Sequence, residues 1–244
     1  MAEITAQVGS SINALTQEFS IIANNMANVN TAGFKRRCTD FVKSLMELQN
    51  QPTQESTGTV ELHSAIDFSQ GSMAQTGGPL DFAISGNGFF VIETPEGTRY
   101  TRDGVFHLNK NGQIVDSGER IVAGQAGPIT VPSGVSPSQL NVGYDGTISA
   151  DGAAIGKFQI VDFKENESKL TPVGLNCLMM PDENVKPVAA DQASVRQGYQ
   201  ESSNVKIIDE LVDLIMVSRL YEANMKLISA GTEASNSIMS VAMG

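Results

Sequence analysis

The chain has 244 residues, 41% apolar and 18% charged, with a formal net charge of −11. That apolar share can fill a core, and the length suits one large domain or two modest ones. The acidic balance excludes charge-driven binding to nucleic acid, which needs Lys and Arg against phosphate, and charge-driven attachment to anionic membranes.

The low charged fraction means that Ser, Thr, Asn and Gln must supply much of the polar surface. Such groups cost less to dehydrate than charges, which suits close subunit packing. Met1-Ala2-Glu3-Ile4-Thr5 has neither a basic n-region nor a continuous apolar h-region, so no cleaved secretory signal is expected. No window approaches the roughly 18 apolar residues of a membrane span.

In chain order, the first predicted element is a helix. Ile4, Val8, Ile12, Leu15, Phe19, Ile22, Met26 and Val29 recur at spacings of three or four and form one narrow stripe. A narrow stripe suits a coiled-coil seam. Gly33 stands at the expected helix stop. Residues 36–70 are mixed, with a short helix predicted over 41–48.

From residue 71 the period changes. Phe89-Phe90-Val91-Ile92 is a short apolar run, followed by the turn Thr94-Pro95-Glu96-Gly97. Further turns are expected at Asp103-Gly104, Asn111-Gly112 and Asp145-Gly146, since such pairs favour the positive φ of tight hairpins. Strands are predicted over 98–101, 105–108, 113–115, 121–122, 129–131, 147–149 and 157–161. Many short strands with frequent turns indicate an all-β sandwich or barrel. Residues 181–202 read as an extended return to a second helix. There Ile207, Leu211, Leu214, Tyr221, Met225 and Ile228 follow the three/four spacing, interrupted by Ser218. Ser203 or Asn204 could cap its start, and Gly231 should weaken it by about 1 kcal/mol relative to Ala. Periodicity alone leaves two arrangements open: both helices docked on the β middle, or paired with each other and with neighbouring subunits.

No set of residues converges on a reaction, so no catalytic role and no cofactor are expected. Gly86-Asn87-Gly88 lacks the third glycine of a dinucleotide fingerprint and reads as a turn. His63 and His107 are far from Cys38 and Cys177, so no zinc site is expected. Asp145 and Asp151 could be paired carboxylates, but turn-forming Asp is the commoner role. Cys38 and Cys177 could form a disulfide only if the fold brings them together.

Three stretches together resemble the flagellar basal-body rod family, the rod and hook axial proteins. The first runs from Ala23-Asn24-Asn25-Met26 through Asn28-Val29-Asn30-Thr31-Ala32-Gly33-Phe34-Lys35. The second includes Gly78-Pro79-Leu80-Asp81-Phe82, Gly86-Asn87-Gly88-Phe89-Phe90-Val91 and Tyr100-Thr101-Arg102-Asp103-Gly104-Val105-Phe106. The third is Gly198-Tyr199-Gln200-Glu201-Ser202-Ser203-Asn204-Val205 with Arg219-Leu220-Tyr221-Glu222-Ala223-Asn224-Met225-Lys226. The length and the stretch 124–132 look more like the family's proximal rod members than its distal ones, and hook members are usually longer.

The resemblance implies an α+β fold: N- and C-terminal helices paired as a coiled coil, with a central all-β domain. Residues 1–35 and 203–244 would form a discontinuous helical assembly domain, 36–70 and 181–202 a connecting region, and 71–180 the β domain. It implies export through the flagellar type III apparatus and assembly into the rod with copies of itself and other rod and hook-basal-body subunits. The packing residues would be Ile4, Val8, Ile12, Leu15, Phe19, Ile22, Asn24, Asn25, Asn28, Asn30, Gly33 and Phe34. From the second helix they would be Asn204, Leu211, Leu214, Tyr221, Asn224, Met225 and Ile228. The carboxamides could bond across subunits without the cost of burying charge. The competing classes are a secreted β-domain binding module or adhesin, and a hydrolase with a carboxylate pair.

Overall fold

The computed structural model describes residues 2–39 and 64–243, with side-chain environments for 8–39 and 64–233. The helix predicted over 41–48 and His63 lie outside the described residues. The chain divides into two compact units. One comprises residues 1–27, 36–67 and 205–244, the other 28–35 and 68–204.

The first unit contains helix α1, Ala2–Ala27, and helix α2, Ile207–Met243. A two-stranded antiparallel pair joins them, Arg37–Thr39 against Ser64–Ile66 with Cys38 opposite Ala65. The apolar stripe is what forms α1, but the helix ends before Val29. The Thr31 N–H instead closes a turn on the Asn28 carbonyl at 3.1 Å, and the Thr31 hydroxyl bonds the Asn28 side chain at 3.2 Å. Helix α2 starts three residues beyond Asn204, so neither Ser203 nor Asn204 caps it. The Asn204 carboxamide instead donates to Ser69 O at 3.2 Å and Ser69 Oγ at 3.1 Å. The helix also runs through Gly231 without a break.

The second unit is β-rich. Its main sheet has ten strands among the described residues, with Phe89–Thr94 pairing both Gly97–Thr101 and Ile121–Gly124. Pro95 and Glu96 form the tight turn between the first two. The run at 89–92 is buried throughout because the strand is covered on both faces. Phe90 meets Phe106 at 5.2 Å and Phe158 at 5.5 Å between ring centroids, while Phe89 meets Phe68 at 5.7 Å. Beside this sheet are a three-stranded meander, Leu140–Val142, Thr147–Ala150 and Ala153–Lys157, and two strand pairs. The core gathers Phe82, Ile84, Phe90, Ile92, Ile114, Val122, Ile148, Phe158 and Val195.

Three strand expectations change. The strand predicted at 157–161 is two strands, Ala153–Lys157 and Ile160–Asp162, parted where Phe158 turns into the core. Residues 129–131 form no ladder, only a bridge at Thr130, although Ile129 and Val131 are core residues. The return segment 181–202 is not a plain connector. Ser194–Gln197 pairs Phe82–Ser85 and buries Val195, and Tyr199–Glu201 pairs Met73–Gln75.

Candidate assembly surface and the charge knot

In the β unit, the three signature stretches meet at one buried carboxylate. The Glu201 side chain has no exposure. Its Oε1 accepts from Lys35 Nζ at 2.7 Å and from the Gly71 N–H at 3.0 Å, and its Oε2 from Arg102 Nη1 at 3.3 Å. Most of the other cationic hydrogens are also used, the buried Arg102 Nε–H excepted. Lys35 Nζ donates to Ser69 O at 2.7 Å, and Arg102 Nη2 to Gly86 O at 2.8 Å. The guanidinium lies 5.3 Å from the centre of the Phe89 ring. Burial pushes Arg102 below its ordinary pKa, and Glu201 opposes that shift. Removing water from three charges is expensive, so the group persists only because nearly every lone pair and proton is matched.

The backbone around the knot leaves no room for side chains. Gly33 has φ +66°, and a Cβ there would lie 2.3 Å from the Asp103 N. A Cβ on Gly71 would lie 1.9 Å from Ser202 O. Both positions therefore demand glycine. The Gly33 N–H donates to the Glu201 carbonyl at 2.7 Å; α1 has already ended at Ala27, so Gly33 is a strand contact and not the helix stop expected from the sequence. Beside it, burial pushes the Asp103 carboxyl up to about 6; the Val105 N–H opposes this, and Asp116 and Asp81 add to it.

In the helix unit, Asn25 and Glu210 are fully buried. Asn25 Oδ1 accepts from the Arg37 N–H at 2.9 Å, and its Nδ2 donates to Arg37 O at 2.8 Å and Glu210 at 3.1 Å. Arg36 pairs with the same Glu210 and with Asp213 at 3.3 Å. One carboxamide thus ties α1, the adjoining strand and α2 together. The expectation that Asn25 bonds across subunits is corrected: its carboxamide is used within the chain.

The other expected packing residues separate into groups. Ile22 and Phe34 are buried, as is Gly33. Val8, Ile12, Leu15, Asn24 and Asn28 are half-buried, whereas Phe19 is exposed. Ile4 lies on α1, its side chain outside those described. Asn30 is exposed and, with Val29, Ala32, Gln200 and Ser203, lines a small polar groove of about 180 Å³. On α2, Leu214, Asn224 and Ile228 are half-buried. Leu211, Tyr221 and Met225 are exposed.

The stripe of α2 turned toward α1 is Glu210, Leu214, Val217, Asn224 and Ile228, with Tyr221 at its margin. This corrects the predicted row, of which Ile207, Leu211 and Met225 lie outside the seam. The row was misread because α2 is apolar on two sides. Its other side carries Ile208, Val212, Ile215, Met216, Leu220 and Leu227, all more than half exposed. The sequence reading missed these residues. Their signal was the second apolar residue in Ile207-Ile208, Leu211-Val212 and Ile215-Met216, doublets that one seam cannot absorb. Between the helices a groove of about 400 Å³ is lined by Leu15, Thr16, Phe19, Val217, Ser218, Tyr221 and Glu222.

The remaining chemical candidates serve local structure. Asp145 accepts from the Thr147 N–H at 3.1 Å and pairs with Lys157, and the Thr147 bonds hold its carboxyl at about 2. Asp151 occupies a turn at φ 50°. Gly86-Asn87-Gly88 is the bend between strands Phe82–Ser85 and Phe89–Thr94. His107 meets Glu119 at 3.1 Å. Cys38 and Cys177 form no disulfide with each other; the Cys38 thiol donates to Ala65 O at 3.6 Å, and burial pushes Cys177 up to about 11. Among the described residues no group of His, Cys, Asp and Glu is placed to hold a metal, and no helix is long and apolar enough to cross a membrane.

A finished β unit and a helix pair with an uncovered apolar side together mark a subunit of a larger assembly. Three family models match the chain. Residues 9–35 match the flagella basal body rod protein, 83–150 the flagellar hook protein FlgE/F/G D1 domain, and 196–241 the flagellar basal body rod FlgEFG protein C-terminal. Flagellar basal-body rod protein FlgG of Buchnera aphidicola subsp. Baizongia pistaciae is 32% identical, over 88% of this chain and 90% of its own. FlgF of Caulobacter vibrioides is 34% identical, over 91% of each chain. FlgG of Bacillus subtilis is 31% identical, over 88% of this chain and 90% of its own. The chain belongs to the flagellar basal-body rod protein family.

Proposed function

We propose that the chain is a non-enzymatic structural subunit of the flagellar rod, polymerising through its terminal segments, residues 1–35 and 203–244, which hold α1 and α2. The observation that carries this is the exposed stripe on α2, Ile208, Val212, Ile215, Met216, Leu220 and Leu227. Burying six such side chains is worth on the order of 10 kcal/mol. That is comparable to the roughly 4–15 kcal/mol lost when a free molecule is immobilised. A single partial contact is therefore marginal, and contacts to several neighbours are decisive. Such a subunit stays single until it reaches a growing end. A head-to-tail contact that does not close on itself then builds a helical tube.

In this reading α1 and α2 pair as a coiled coil, and Ile12, Leu15, Ile22, Leu214 and Ile228 form their seam. The partners are copies of this chain and other rod and hook-basal-body subunits. The flagellar type III apparatus exports the chain uncleaved, so the rod lies in the periplasm. A proximal position is proposed from the length and the stretch 124–132; the relatives named FlgF and FlgG are similar at 34% and 32%. The test is a tagged copy expressed in a strain deleted for the gene. Purified basal bodies should carry the tag within the rod, nearer its inner end. A tag absent from basal bodies, with the deletion strain still building complete rods, would overturn the proposal.

A further inference from the structure

Two Asn-Gly pairs occur in the chain, Asn87-Gly88 and Asn111-Gly112, and both asparagines are exposed. The amides that follow them differ. The Gly112 N–H donates to the Asn109 carbonyl at 2.9 Å, and the Asn111 N–H to Asn109 Oδ1 at 2.9 Å. Asn87 sits in the bend between strands Phe82–Ser85 and Phe89–Thr94. Neither its carboxamide nor the Gly88 N–H has a hydrogen-bond partner among the described residues. Glycine also places no side chain in the way of the Asn87 carboxamide. The bend itself is fixed on both sides. Gly86 O accepts from Arg102 Nη2 at 2.8 Å, and the Gly86 N–H donates to Gln70 Oε1 at 3.2 Å. A Cβ on Gly88 would lie 3.0 Å from both Ala190 Cβ and Ile160 Cγ2.

We propose that Asn87 is a site of spontaneous deamidation, a covalent modification whose only co-reactant is water. The Gly88 amide nitrogen attacks Cγ of Asn87. The N–Cγ bond forms, the Cγ–Nδ2 bond breaks, and the Gly88 proton leaves on the departing ammonia. Water then adds to one of the two carbonyls of the cyclic imide and opens it, to aspartate or to isoaspartate. Nothing is oxidised or reduced. Aspartate adds a charge at an exposed position. Isoaspartate also adds one atom to the backbone, and the bend has no slack for it. Gly86 is tied to Arg102, Gly88 is packed on Ala190 and Ile160, and the strands on either side are largely buried. The extra atom therefore strains the ladder between Phe82–Ser85 and Ser194–Gln197. At Asn111 the Gly112 N–H must first leave its acceptor, which slows the same reaction about fivefold.

The test is peptide mapping of the purified, folded chain after incubation in mildly alkaline buffer. Asn87 should gain one dalton and resolve into aspartyl and isoaspartyl peptides, at least about fivefold faster than Asn111. The chain kept in guanidinium chloride should lose that difference, since neither glycine amide is then held. Aged wild type should accept methyl groups from S-adenosylmethionine and an isoaspartyl methyltransferase. Asn87→Gln, whose larger ring closes far more slowly, should lose most of this acceptance. Circular dichroism controls for folding, since position 87 is exposed. The isoaspartyl fraction should unfold at lower denaturant than wild type. Fresh Asn87→Asp, with the charge but not the extra atom, should match wild type. Asn111 converting as fast as Asn87 in the folded chain would overturn the site. So would an Asn87→Gln chain that accepts as many methyl groups as wild type. An isoaspartyl chain as stable as Asn87→Asp would overturn the strain at the bend.

Discussion

The two units solve opposite problems. In the β unit the large apolar side chains are inside: Ile84, Phe90, Ile92, Ile114 and Ile148 have no exposure, and even the charges of the knot are matched internally. In the helix unit the polar groups Asn25 and Glu210 are inside, while Ile208 and Leu227 stand 72% and 62% exposed. A unit that is inside-out in this way has its interior completed by something else. The β unit is therefore a finished fold, and the helix unit leaves an apolar side uncovered.

This contrast gives predictions of decreasing size on stability. The largest concerns the knot. Glu201→Ala leaves Lys35 and Arg102 buried as like charges, and should cost about 3–5 kcal/mol in denaturant unfolding of the β unit. A loss under about 1 kcal/mol would mean that the knot is hydrated. Asn25→Ala strands the Arg37 N–H and Glu210, and should cost about 1–3 kcal/mol, read by hydrogen exchange in α1 and α2. The β unit should be untouched, and equal destabilisation of both units would erase the distinction between them.

Asp103 gives the pH dependence. Its carboxyl titrates near 6 in the folded chain against an ordinary 3.8, so the ionised form is disfavoured by folding. A raised acid contributes most stability when protonated. Its contribution is lost as pH climbs from about 3.8 to about 6 and stays lost above that. Asp103→Asn keeps an acceptor for the Val105 N–H and removes the charge. It should stabilise the chain at pH 7 by up to about 2 kcal/mol and flatten the stability profile across that window. The smallest effect on stability is on the exposed stripe of α2: Ile215→Ser or Leu220→Ser should change unfolding by less than about 0.5 kcal/mol. These variants should nonetheless impair rod assembly.

Much of the architecture was legible because it depends on local pattern. The α1 stripe and the buried run at 89–92 each follow from spacing, whereas α1 stops at Ala27, short of the expected Gly33. Asn111-Gly112 and Asp145-Gly146 likewise fall at turns, whereas Asp103-Gly104 forms none. What was missed depends on distance or on ambiguity. Glu201 lies 166 and 99 residues from Lys35 and Arg102, and no local pattern announces such a meeting. The strands at 194–197 and 199–201 are short and polar on one side, so only their partners at 82–85 and 73–75 reveal them. The α2 seam was misplaced because a helix apolar on two sides supports more than one three/four row. Asn25 reads as a packing residue for neighbouring subunits because an amide on a helix flank looks the same whether it meets a neighbour or its own chain.

The central claim, that neighbours cover the exposed stripe of α2, is most directly tested by thiol accessibility. Leu220→Cys in a Cys38→Ser background would be treated with a maleimide, both as purified monomer and within isolated basal bodies. The account predicts rapid labelling of the monomer and protection by at least about tenfold in basal bodies. Equal labelling in the two states would contradict it.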